Sequence, residues 1–500
     1  MDKLTELISD IDGEAVKNLL VFDHQNPLLF NTGLFLLLFI GLLLIYQLMR
    51  RWRTAKMLVV IFFSLYFYYK SSSWYCLILL GVCFFDYFLG LWMQRTENNT
   101  VRRLIVALNV VANVGMLAYF KYLNLILDMI SSFSGTSFDP LDIILPAGIS
   151  FFTFRSISYI VDLYRHKLDA CTNVLDYVFF LTFFPPLLAG PVVRAVDMLP
   201  QIKANNPATR AMVGEGLFLI MSGLIKKVVI ADYISGNFVD RVFENPSLYT
   251  GFENLMGSLG FTMQIYCDFS GYSDMAIGLA LLLGYRFKAN FDAPFKSQNP
   301  TEFWRRWHIS LSMWLRDYLY IPLGGSRKGK VRQHANLLTT MIVGGLWHGA
   351  SLMYVLWGAY QGVLLCGHKI VSKAWPKTRI LHHQRVTTAI NIFITFTLSV
   401  VGFAIFKCAS IEHLRQMGTQ IVTAFHPEIA VQFATAYAMI LIAIGVGYLM
   451  HFAPSSWTKF VIGKYISMPI LIQAIILAVV LFIVIQTRSS DLVPFVYLQY

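Results

Sequence analysis

The chain has 500 residues, 56% of them hydrophobic and only 14% charged, whereas soluble domains carry about 25% charged residues. That shortfall excludes a soluble protein. The net charge of +12 does not point to nucleic acid. The Lys and Arg residues stand between apolar runs, as positive-inside bias places them, and no nucleic-acid-binding motif occurs.

Residues 1–27 are mildly acidic, with Leu4, Leu7, Ile8 and Ile11 on one helical face and no basic n-region. They read as a short extracytoplasmic amphipathic segment rather than a cleavable signal peptide. Residues 28–500 read as one membrane-embedded domain. A first span, 28–49, runs into Arg50, Arg51, Arg53 and Lys56, a cluster that belongs in the cytoplasm and puts the N-terminus outside. Runs at 57–69, 74–93 and 104–131 keep that alternation, since Arg95, Arg102 and Arg103 fall inside and SSFSGTSFDPLD outside. The next span, 143–164, ends at Arg165, His166 and Lys167.

Segment 174–194 holds Pro185, Pro186, Gly190 and Pro191. Proline removes a backbone donor, so a re-entrant segment is expected here rather than a straight lipid-facing span. Spans at 212–234 and 254–284 carry Lys226, Lys227, Asp268 and Asp274. The two carboxylates need partners, which basic or hydroxyl side chains can supply; a catalytic role is the alternative. Residues 295–332 alternate Trp304, Trp307 and Trp314 with Arg305, Arg306 and Arg316. An interfacial helix is expected there, with His308 and Ser312 on one face. The loop GGSRKGKVR follows, whose Arg327, Lys328, Lys330 and Arg332 suit the phosphates of a donor or simply a cytoplasmic position.

Runs 335–347 and 349–368 flank His348, and three more spans (386–407, 431–452, 466–487) precede the tail SSDLVPFVYLQY on the outer face. The expected fold is thus an all-α polytopic integral membrane protein of about 11–13 membrane helices, with re-entrant and interfacial helices around a central tunnel. The six cysteines form no CxxC pair and fall in or beside apolar runs, so they read as packing residues. No metal site follows from them.

Two histidines carry the chemistry. An ionisable side chain in a membrane is costly, which makes it a functional candidate by default. His348 sits in GGLWHG, where glycines admit other backbone or a substrate, and His308 lies in WRRWHIS. Imidazole moves protons near neutral pH. The plain alternative is a buried histidine bonded to a neighbouring helix.

The stretch TEFWRRWHISLSMWLRDYLYIPLGGSR with GGLWHGAS, joined by YCDFSGYSDMAIGLA, LPAGISFFTFRSISYIVDLYR and FFPPLLAGPVVR, closely resembles the membrane-bound O-acyltransferase (MBOAT) family. The resemblance covers residues 28–370 well and is nearest to the bacterial branch that acylates alginate, peptidoglycan and teichoic acids. Arg155 and Pro186 depart from it, standing where the family pattern has Gln. It implies that His348 is the active-site histidine, acting as general base on the acceptor hydroxyl, and that His308 is a second histidine of this branch. It further implies a cytoplasmic thioester donor, acetyl-CoA or an acyl carrier protein, with no bound cofactor. The acyl group, acetyl above all, would cross the bacterial inner membrane to a polysaccharide acceptor, with an extracytoplasmic SGNH/esterase-like partner. The tail PFVYLQY resembles a terminal motif of related systems, which makes Tyr497 an acyl relay or else an aromatic interface anchor. A flippase or a non-catalytic scaffold of a polysaccharide-secretion complex is the competing reading.

Overall fold

The computed structural model describes residues 13–23, 26–136, 139–374, 384–487 and 495; among these every regular element is helical and no strand occurs. A helix satisfies its own backbone in lipid, and the composition asks for that. The chain divides into two compact units.

The first unit holds α1 (Gly33–Leu48), α2 (Arg53–Ser72), α3 (Cys76–Arg95), α4 (Asn99–Leu117), α5 (Ile149–Tyr164), α6 (Val174–Thr182) and α7 (Ala195–Ala204). Helix α1 is apolar all round. It turns Phe35, Phe39 and Leu42 inward and leaves Leu37 and Leu44 exposed, as a lipid-facing helix does. Helix α5 is central, with every residue buried except Val161 and Tyr164. One carboxylate ties this unit together. Asp86 of α3 accepts from Asn109 Nδ2 of α4 at 2.8 Å, Ser156 Oγ of α5 at 2.9 Å and Tyr177 OH of α6 at 2.7 Å. A buried carboxylate so enclosed links four helices where the surroundings offer no water. Arg155, fully buried on α5, donates to the Phe180 carbonyl and lies 4.8 Å over the Phe180 ring.

The broken backbone expected around Pro185, Pro186 and Pro191 is present. Residues 183–194 form no helix and all are buried, the one setting in which irregular backbone is tolerated at membrane depth.

The second unit takes in 121–141, 189–194 and 206–500; within it α8 (Arg210–Leu224) runs into a π-helical stretch, Ile225–Asp232, and packs along α9 (Gly251–Leu282). Lys226 pairs with Asp274 at 2.7 Å, and Lys227 with both Asp268 at 2.5 Å and Asp232 at 2.7 Å. Ion pairing is therefore what Asp268 and Asp274 do. The five-residue spacing from Lys227 to Asp232 suits the i→i+5 geometry of the π-helix.

Helices α8 and α9 touch backbone to backbone. A Cβ on Gly223 would stand 2.5 Å from the Gly271 carbonyl oxygen, and one on Gly278 2.6 Å from that of Gly216. Small residues at such a contact replace the hydrophobic drive that lipid does not provide. Gly223→Val is expected to force the helices apart at a cost of about 1–3 kcal/mol. The check is a lower thermal aggregation midpoint in mild detergent. Gly115→Ala, with nothing within 4 Å, should leave that midpoint unchanged.

The remaining labelled elements are α10 (Pro300–Arg306), α11 (Ile309–Leu315), α12 (Lys330–His348), α13 (Leu352–Ala374), α14 (Gln384–Lys407), α15 (Ile411–Thr423), α16 (Ala438–Phe452), α17 (Ser455–Ser467) and α18 (Ile470–Thr487). Among the described residues four helical stretches are long and apolar enough to cross a membrane: Arg53–Arg95, Asn99–Ser134, Arg385–Lys407 and Ile470–Thr487. A fifth is the pair Pro427–Ala436 and Ala438–Phe452, bent by 93°. Other expected spans are short, such as the 16-residue α1 and the 15-residue α8, or are followed by π or extended backbone. Helix α8, packed along α9, needs neither full length nor unbroken apolarity, whereas the lipid-facing α1 is simply short.

Candidate active site

His348 is the last residue of α12, at the turn of a tight hairpin with α13. A Cβ on Gly345 would meet the Tyr354 carbonyl oxygen at 2.2 Å, and one on Gly349 the Tyr354 ring at 2.2 Å. The close approach expected of GGLWHG is therefore made by backbone and ring of the next helix. The carbonyls ending a helix have no intrahelical partner. Here Lys121 Nζ donates to the Trp347 and His348 carbonyls at 2.8 and 2.9 Å, and Tyr122 OH to that of Leu346 at 2.5 Å. A cation at a helix C-terminus is electrostatically favourable, so Lys121 both caps α12 and fixes the backbone that carries His348. The imidazole is 5% exposed and meets Trp357 edge to face at 5.0 Å and Phe406 at 5.3 Å.

The expectation of one helix carrying His308 and Ser312 on a shared face is corrected. The helix breaks: α10 ends at Arg306, Trp307 is extended, and His308 adopts a left-handed conformation (φ 41°) as the residue before α11. The cause is Asn290. Its backbone carbonyl accepts from Ile309 N at 2.9 Å. Its Oδ1 accepts from Ser310 N at 3.1 Å and Ser310 Oγ at 2.8 Å and lies 3.2 Å from His308 Nδ1. Asn290 thereby holds the start of α11 and redirects the chain. A backbone N–H can only donate, so the facing amide atom is an acceptor, and this network assigns the proton to His308 Nδ1. Nε2 is then the basic nitrogen. The ring is fully buried, edge-on to Phe269 at 4.5 Å.

The structure brings the two histidines together across one side chain: the Trp347 ring is 6.1 Å from His308 and 4.9 Å from His348. Phe406 lines a cavity of about 780 Å³ whose wall also includes Gly349, Ser351, Tyr354, Lys407 and Asp240. The basic residues are elsewhere. Arg327, Lys328, Lys330 and Arg332 are all exposed before and within the first turn of α12. The 18 steps from Lys330 to His348 set them about 27 Å apart at 1.5 Å per residue. Tyr497 lies outside the described residues. Phe495 is described: 1% exposed, edge-on to Tyr272 at 4.2 Å, with Lys227 Nζ 4.6 Å over its ring.

Two residues of this site were missed from sequence. Lys121 stands inside the apolar run 104–131, where an ionisable residue is itself the signal. Asn290 gives no such signal, because its role depends on which backbone it meets.

The described helices thus bury two imidazoles on either side of Trp347, and one of them, His348, adjoins the cavity wall through Phe406 and Gly349. The chain belongs to the MBOAT, membrane-bound O-acyltransferase family, whose profile matches residues 168–411, and it is a multi-pass membrane O-acyltransferase. It is 40% identical over 394 residues to the probable alginate O-acetylase AlgI of Pseudomonas aeruginosa, covering 77% of this chain and 73% of that protein. The peptidoglycan O-acetyltransferase of Helicobacter pylori is 35% identical over 415 residues, covering 77% and 78%. The teichoic acid D-alanyltransferase of Bacillus subtilis is 29% identical over 286 residues, covering 55% and 71%.

Proposed function

We propose that the protein moves acetyl groups from a cytoplasmic thioester to hydroxyls of an exported polysaccharide of the alginate type. The observation that carries this reading is the pair His308–His348, set on either side of Trp347 in a chain 40% identical to an alginate O-acetylase. His348 takes the proton of the acceptor hydroxyl, and His308, whose Nε2 accepts a hydrogen bond, orients from the opposite side. The protein sits in the bacterial inner membrane with its N-terminus outside. In that orientation the basic loop before α12 faces the cytoplasm and holds the phosphates of coenzyme A or the acidic surface of a carrier protein. The cavity beside Phe406 then opens outward and receives the acceptor. Tyr497 supplies that acceptor hydroxyl and relays the acyl group, and an extracytoplasmic SGNH/esterase-like partner completes transfer to the polymer.

Sealed inside-out vesicles supplied with a labelled acetyl thioester test the reading. Label is expected on hydroxyls inside the vesicle, and its absence with every thioester tried would overturn the proposed direction of transfer. Replacing Arg327, Lys328, Lys330 and Arg332 together by Gln should raise the donor KM about tenfold or more and flatten its salt dependence. An unchanged KM would leave those charges a topological role only.

A further inference from the structure

Beside His348 the interior contains a hydrogen-bond donor with nothing to donate to. Trp357 of α13 is 3% exposed, and its Nε1 has no hydrogen-bond partner among the described residues. Indole nitrogen is donor only, and a buried N–H left unpaired forfeits its hydration with nothing in return. The neighbouring indole shows that the fold can supply an acceptor. Trp304, whose ring is 5.9 Å from that of Trp357, donates from its own Nε1 to Gln361 Oε1 at 3.3 Å. The unsatisfied donor belongs to the tryptophan whose ring meets the His348 imidazole at 5.0 Å and 89°.

Acyl transfer creates an acceptor for such a donor. As a hydroxyl oxygen adds to the thioester carbonyl carbon, the carbonyl π electrons move onto oxygen and an oxyanion forms. Donors that stand ready in a dry site are worth most at that moment. Two neighbouring donors are engaged: Lys121 Nζ is spent on the Trp347 and His348 carbonyls, and His308 Nδ1 faces Asn290 Oδ1.

We propose that Trp357 Nε1–H is the oxyanion-stabilising donor of this enzyme, receiving the acyl oxygen in the tetrahedral intermediate. This rests on the reading of His348 as general base. The acceptor hydroxyl gives its proton to His348 as its oxygen bonds to the carbonyl carbon. The negative charge collects on the oxygen held by Trp357. The charge then returns to reform the carbonyl, and the C–S bond breaks with its electron pair leaving on sulfur. The thiolate takes the proton back from the imidazolium, so no proton or electron is gained or lost. The indole is a catalytic residue that needs no ionisation, which suits an apolar interior where a charged donor would be costly.

The test keeps the ring and removes the N–H. Benzothienylalanine in place of Trp357, introduced into the full-length protein in membranes, should lower kcat for transfer from an acetyl thioester 10²–10³-fold, the loss usual for one oxyanion donor. The donor KM and thermal aggregation midpoint should stay unchanged. A fluorotryptophan at the same position, which retains the N–H, should lose far less kcat than the benzothienyl variant. Trp357→Phe is the simpler variant; the benzothienyl replacement decides the matter if Trp357→Phe fails to fold. A wild-type kcat without the N–H, or an effect on KM alone, would overturn the assignment. His348→Ala assayed in parallel separates the two readings. An inactive His348→Ala beside a full-rate benzothienyl variant rejects Trp357 alone, whereas an active His348→Ala rejects the base.

Discussion

His348→Ala is expected to abolish acylation of the surface polymer while protein level and membrane insertion remain those of the wild type. Loss of a general base costs about 10²–10⁴-fold in rate, and here the imidazole is buried among Trp347, Trp357 and Phe406. Water has little room to replace it. Insertion should be untouched because the backbone of α12 is held by its own glycine contacts and by Lys121, none of which involves the imidazole. The measurement is ester-bound acetyl on purified polymer, normalised to enzyme in the membrane fraction. Full acylation would end the assignment of His348. His308→Ala should also lower the rate severely while donor binding persists. Asn290 would still hold the start of α11 through Ile309 and Ser310.

Tyr497→Phe is expected to cause near-complete loss of polymer acylation. The tail around it is apolar and aromatic, PFVYLQY, and its one described residue, Phe495, is buried between Tyr272 and the Lys227 ammonium. A cation over a desolvated ring is worth up to about 2 kcal/mol, which helps to hold Phe495 where it is buried. In the relay, the phenol gives its proton to His348 and attacks the thioester carbonyl, and the thiolate leaves with that proton. The aryl ester formed is a reactive donor for an extracytoplasmic partner. Phe keeps the ring and removes only the hydroxyl, so an interfacial anchor predicts near-normal activity. Normal polymer acylation in Tyr497→Phe would reject the relay. Mass spectrometry of the C-terminal peptide should find the acylated tyrosine in the wild type when the acceptor is withheld.

What could be read from sequence follows physical range. Pro185, Pro186 and Pro191 announce a helix break locally, and residues 183–194 have one. Carboxylates in apolar spans demand partners, and Asp268 and Asp274 have Lys227 and Lys226. The glycines around His348 signal close contact, and Tyr354 makes it. The break at His308 was not legible. Its sequence keeps helical spacing through Trp304, Trp307 and Leu311, and what overrides that spacing is Asn290, 18 residues away in the chain. Trp357 was invisible for a similar reason: whether a donor is satisfied is a property of the packed interior. Lys121 was visible in principle as a charge inside an apolar run.

The ionic contacts between the π-helical stretch and α9 constrain how the protein is made. Lys226 leaves the ribosome 48 residues before Asp274, a delay of roughly 2–10 s at bacterial and eukaryotic rates of synthesis. A lysine left bare in an apolar span costs about 2.5–3.5 kcal/mol to insert at the centre of the bilayer, and the Asp274 carboxylate is what pairs Lys226 here. Lys227 is better placed, because Asp232 follows five residues later. The pairing ties the stability of segment 210–232 to the presence of α9, a helix synthesised after it.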